Sequence, residues 1–129
     1  MSLKPLVSLA LIGATFLGLA FSARADTVEP GSLLVFPNFD NTRGEFTLLT
    51  VTNTNSSSTS GSISVEFVYI NAQNCQEFNR LRTLTPLDEI SVLTKFDNPN
   101  MVKGYCYVFA RNPTTGQATS FNYLIGTEL

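Results

Sequence analysis

The chain has 129 residues, 8 Lys and Arg against 10 Asp and Glu, and no histidine or tryptophan. Without histidine, the commonest general base, metal ligand and nucleophile activator is missing, which excludes Ser-His-Asp and Cys-His mechanisms. The mild acidity argues against nucleic acid or an anionic membrane as partner, since both are recognised by clustered Lys and Arg.

The amino terminus reads as a cleavable secretory signal. Lys4 supplies a positive charge, Leu6 to Phe21 is an almost unbroken apolar run, and Ala23-Arg24-Ala25 is the small-x-small pattern read by signal peptidase. The apolar run is shorter than the roughly 20 residues of a bilayer span, so cleavage after Ala25 is expected rather than a permanent anchor. Residues 1–25 are thus assigned to the signal peptide and residues 26–129 to one secreted or periplasmic domain with six basic against ten acidic residues, a net of −4.

From Gly31 onward no window places apolar residues at helical spacing over three turns. β-branched and aromatic residues recur instead in short runs separated by Asn, Ser, Gly and Pro. In chain order the predicted strands are Ser32 to Phe36, Phe46 to Asn53, Ser62 to Ile70, Glu77 to Thr83, Glu89 to Thr94, Lys103 to Arg111 and Ala118 to Ile125. The third is the clearest: Ile63, Val65, Phe67 and Tyr69 share its inner face, Ser64 and Glu66 its outer face. The sixth, through Tyr105-Cys106-Tyr107-Val108-Phe109-Ala110, is apolar on both faces, as in a central strand covered on both sides. Seven short strands at this spacing predict an all-β fold, a single seven-stranded antiparallel β-sandwich with an immunoglobulin-like arrangement, although the tryptophan of true immunoglobulin domains is missing.

An up-and-down order puts the loops around Asn38 to Gly44, Asn71 to Asn74 and Phe96 to Asn100 at one end. The loops Thr54 to Gly61, Thr85 to Asp88 and Asn112 to Gln117 lie at the other. Cys75 and Cys106 are then close enough to bridge, and the 31-residue separation gives a disulfide worth roughly 3.5 kcal/mol in the chain-entropy account.

Chemistry-bearing groups are few. Asp88 and Glu89 are adjacent carboxylates, but successive strand residues face opposite ways, so they read as a solvated turn rather than a glycosidase pair. Arg80 and Arg82 share a strand face and could hold an anion together or pair with nearby Glu77 instead. The echo Phe39-Asp40-Asn41 and Phe96-Asp97-Asn98 falls in two loops at the same end, and Asp40, Asp97, Asn98 and Asn100 present the hard oxygens of a calcium site. Tyr105, Tyr107 and Tyr123 are candidates for an aromatic patch, or for core and sheet-face packing. The last strand, Ala118 to Ile125, reads as an edge open to pairing with another copy, with Glu128 beyond it as a charged guard.

The segments Leu34-Val35-Phe36-Pro37-Asn38-Phe39-Asp40-Asn41, Thr50-Val51-Thr52-Asn53-Thr54-Asn55, Val65-Glu66-Phe67-Val68-Tyr69-Ile70 and Thr83-Leu84-Thr85-Pro86 resemble those of exported bacterial proteins of no assigned function. A strand ending in Thr-Asn-Thr-Asn and a later Leu-Thr-Pro turn are similar to patterns in bacterial immunoglobulin-like surface modules. The resemblance implies an envelope or extracellular setting and carries over no catalytic residue. The expectation is a non-enzymatic exported module acting through protein or glycan contacts. The alternative is a secreted protein binding a small ligand or calcium.

Overall fold

A computed structural model describes residues 29–129. The expected signal peptide and cleavage point lie outside the described residues. Among the described residues the chain forms seven strands: β1 (Leu33–Asp40), β2 (Leu48–Asn53), β3 (Ile63–Asn71), β4 (Glu77–Leu84), β5 (Glu89–Leu93), β6 (Lys103–Arg111) and β7 (Leu124–Glu128). A single helical turn, α1 (Thr94–Asp97), follows β5 where the residues predict a strand end and a loop. Four strands pair in the order β1-β6-β3-β4 and three in the order β5-β2-β7, every named pairing antiparallel.

The core lies between the two sheets, and its parity is that of the sequence. On β3, Ile63, Val65, Phe67 and Tyr69 point inward and are almost wholly buried. Across from them on β6 lie Cys106, Val108 and Ala110, and from the other sheet come Leu49, Val51, Val92 and Leu124. Gly104 of β6 is required here, because a β-carbon would come within 1.9 Å of the Ile70 carbonyl oxygen and 3.0 Å of the Phe39 ring.

Two elements depart from expectation. β1 runs on through Pro37 to Asp40 instead of stopping at Phe36. The pairing with β6 shifts by one residue between Phe36 opposite Cys106 and Phe39 opposite Gly104. This bulge inverts the parity of the strand, so Phe36 and Phe39, three apart, both enter the core. Pro37 is tolerated because β1 is an edge strand.

The last strand begins at Leu124 rather than Ala118. The segment before it is held by a bridge from Ala118 to Arg111 and by the Phe121 N–H donating to the Ser32 hydroxyl at 2.7 Å. β1 already takes the free side of β6, so the chain crosses to the other sheet and pairs with β2. Glu128 therefore lies within β7 opposite Leu49, and burial raises its carboxyl pKa.

Loops gather at the two ends as the alternating order requires. At one end the Asn41 N–H donates to the Val102 carbonyl at 2.6 Å, and the Ala72 N–H to the Lys103 carbonyl at 3.0 Å. At the other, fully buried Asn53 joins three segments. Its Nδ2 donates to the carbonyls of Gly61 at 2.6 Å and Thr85 at 2.8 Å, and its Oδ1 accepts from the Asn55 N–H at 3.0 Å. Truncation strands the buried Gly61 carbonyl and the half-buried Thr85 carbonyl, so Asn53→Ala is expected to cost about 2 kcal/mol and to lower Tm by roughly 10 °C in thermal unfolding.

Candidate functional site

At the Asp/Asn end both aspartates are paired within the chain. Asp40, at the end of β1, receives the Thr42 N–H at 2.9 Å and forms an ion pair with Lys103 at 2.7 Å. Together, Lys103 first and Thr42 next, they hold the Asp40 carboxyl down at about 2 against an ordinary 3.8. Asp97, in α1, is buried. It accepts the Tyr69 hydroxyl at 2.7 Å and pairs with Arg82, while its backbone carbonyl accepts Arg80 Nε at 3.1 Å. Burial, reinforced by the Asp97 carboxylate, raises the Tyr69 pKa and keeps that hydroxyl a donor.

Asn98 is fully buried with neither side-chain polar atom hydrogen-bonded, whereas Asn100 is exposed. The four residues named for calcium thus lie at one end as the topology required. Both carboxylates, however, are already committed to cations or hydroxyls of the chain itself. Among the described residues no three or more Cys, Asp or Glu side chains are grouped to hold a metal.

Arg80 and Arg82 share the inner face of β4 and are spent on α1. Asp88 receives the Thr85 N–H and hydroxyl, both at 3.1 Å, and the Glu89 N–H at 2.9 Å, with its pKa lowered chiefly by Thr85. Glu89 accepts the Thr52 hydroxyl at 2.8 Å on the neighbouring strand. These carboxylates fix a turn and a strand pair and do not converge on a cleft.

The bridge expected between Cys75 and Cys106 is not formed, and both are free thiols. Cys106 points into the core from the middle of β6, opposite Tyr69. Cys75 sits exposed in the turn between β3 and β4 with φ of 57°, where its N–H donates to the Asn71 carbonyl. Both residues lie at the same end, as the strand order requires, but one side chain faces inward while the other lies on the hairpin tip.

Two surface features remain. The first is the outer face of the four-stranded sheet. Tyr105, Tyr107 and Phe109 alternate outward along β6, flanked by Leu33 and Val35 of β1, Val68 and Ile70 of β3 and Leu81 of β4. Leu33, Val35 and Leu81 are each more than half exposed and Tyr105 is 43% exposed. Tyr107 stacks on Phe109 with centroids 6.2 Å apart, Arg111 lies over Phe109, and Arg111 forms an ion pair with Glu66. The face is apolar and its one central ion pair is internally neutral. Tyr123 does not join this stripe; it packs edge-on against Phe121 with centroids 5.2 Å apart.

Comparison with protein-family models, curated proteins and solved structures returns no match.

The second feature is a pair of adjoining open hollows of about 420 and 340 Å³, which share Leu93 and Phe96. Leu48, Ser91 and Asp97 line the larger; Phe46, Glu45 and Lys95 line the other. Phe46 and Phe96 are 68% and 77% exposed, so these are dents between projecting rings rather than an enclosed cavity.

Two measurements test this geometry. Under native conditions an alkylating reagent should modify Cys75 only, with Cys106 reacting after denaturation without reductant, because burial raises its pKa and hides its sulfur. A carboxyl followed by NMR at Asp40 should titrate near 2 and move toward 3.8 in Lys103→Met. A depressed carboxylate pKa contributes stability present above the unfolded value and lost as pH falls through the folded one. That contribution should therefore disappear between about pH 4 and pH 2 in the parent and be largely missing from the variant.

Proposed function

We propose that this chain is a non-enzymatic, exported β-sandwich module with an immunoglobulin-like core, which works by docking a protein partner on the outer face of its four-stranded sheet. The immunoglobulin-like reading is supported by the pairing of β2 with β5 and of β3 with β6, as the second strand pairs with the fifth and the third with the sixth in that architecture. It is a variant of that plan. β4 lies beside β3, and the first and last strands have exchanged sheets relative to the constant-type arrangement.

The observation that carries the docking role is the outward stripe of Tyr105, Tyr107 and Phe109, on an interior strand whose neighbours add Leu33, Val35 and Leu81. Soluble domains rarely leave a contiguous apolar face of this kind uncovered unless it meets something. Aromatic residues and arginine, here Arg111 beside the stripe, are the types enriched at contact centres. Protein is favoured over glycan because few polar groups stand among the rings to read sugar hydroxyls. Export into the envelope or extracellular space rests on the amino-terminal pattern.

The test is a photo-crosslinking residue placed at Tyr105, compared with one at Thr50 on the outer face of the other sheet, in the producing cell. A discrete product from position 105 alone, lost on adding Val35→Lys, is expected. Equal products from both positions, or none from either, would remove the reading.

A further inference from the structure

The chemistry of the docking face narrows its occupant. We infer that the partner covering the Tyr105–Tyr107–Phe109 stripe is a second copy of this chain, packed sheet against sheet about a two-fold axis; the inference rests on the docking role proposed above.

Charge is the first argument. A face that serves a different protein commonly carries unpaired charge answered by the opposite sign on that partner. Here the charged side chains in the centre, Glu66 and Arg111, neutralise each other within one copy, and Lys103 at the rim is taken by Asp40. Glu77, on the outward side of β4 at the margin, is engaged by the Asn79 amide at 2.7 Å. An isologous contact sets the same patch on itself, so any unpaired central charge would meet its own kind. This face meets that requirement.

Shape and area agree. The stripe lies along β6, an interior strand of the sheet, with β1 on one side and β3 on the other. A two-fold axis in the plane between the copies therefore lays β6 over β6 and rings over rings, at the shallow angle natural to stacked twisted sheets. With Leu33, Val35 and Leu81 more than half exposed and Tyr105 at 43%, each copy offers on the order of 500 Å² of surface from large apolar residues. Two copies would bury about 1,000 Å², the lower bound of a specific interface. A reversible dimer follows, rather than an obligate one.

The edges of the sheet favour face over edge. β1 carries Pro37 and a bulge, and β4 alternates with Glu77, Arg80 and Arg82, both arrangements that discourage strand addition.

The experiment is sedimentation equilibrium of the protein expressed from its full sequence, over a concentration series, on the parent, on Val35→Lys and Tyr105→Lys, and on Thr127→Lys in the edge strand β7. Val35 and Tyr105 are exposed enough to change without disturbing the core, and far-ultraviolet circular dichroism checks that each variant is folded. The expected result is a concentration-dependent dimer, weakened about 30-fold or more by either face variant and unchanged by Thr127→Lys. A parent monomeric at every concentration overturns the second-copy inference. So does a dimer that survives both face substitutions or is lost only in Thr127→Lys. The in-cell crosslink separates this failure from that of the docking role. A monomeric parent whose position 105 crosslinks a different protein retains the docking face and loses the self-contact; a monomeric parent with no product loses both.

Discussion

The buried carboxylate of Asp97 is the interaction on which this end of the sandwich depends. A charge withdrawn from water needs compensation in place, and here it has the Tyr69 hydroxyl from β3 and the Arg82 guanidinium from β4. Both belong to the four-stranded sheet, whereas Asp97 follows β5 of the three-stranded one, so the cluster joins the two layers. It accounts for the single turn of helix, which brings the carboxylate inward. It also accounts for the two arginines on the inner face of β4: Arg82 holds the carboxylate and Arg80 the carbonyl of the same residue. Asn53 has the corresponding role at the far end with neutral groups, joining the turns at Gly61 and Thr85.

Much of the fold was legible in alternation. On β6 burial alternates residue by residue and both ends fall where the residues place them, and on β3 the inner set Ile63, Val65, Phe67 and Tyr69 is the one read from the residues, with each end one residue further along the chain. What could not be read depended on one inserted residue and on competition for a partner. The bulge at Pro37 puts Phe36 and Phe39 on the same side, which a simple alternation forbids, so alternation alone carries the strand only to Phe36. Ala118 to Tyr123 has strand-like composition, yet the last strand begins only at Leu124. Only the occupancy of β6 by β1 decides that this segment crosses over instead of pairing.

The candidate sites divide in the same way. The Asp/Asn echo correctly joined two loops at one end, but composition does not reveal that Lys103 and Arg82 would reach the carboxylates first. The cysteines fell within a plausible loop length, yet a disulfide depends on side-chain direction, and Cys106 points inward in a strand where its neighbours point out. The aromatic alternation of β6 was visible as an apolar strand. Its meaning changes once Tyr105 proves substantially exposed, because a strand composed for two covered faces has only one covered by its own chain.

In the proposed docking role, the outer face and the strand edges together set the mode of contact. Exposed strand edges invite addition of a further strand, and proteins limit this with proline, bulges, charge and short length. All four devices occur here, in Pro37 and the break of register on β1, the charged alternation of β4 and the five-residue spans of β5 and β7. The centre of the apolar face between those edges has no comparable guard, since the ion pair there, Glu66 with Arg111, leaves no net charge to repel an approaching apolar surface. A chain that suppresses backbone pairing at its margins while leaving aromatic rings open at its centre is suited to contact by side-chain packing. Contact of that kind is fixed by the fit of rings and aliphatic groups, which limits it to partners of matching shape.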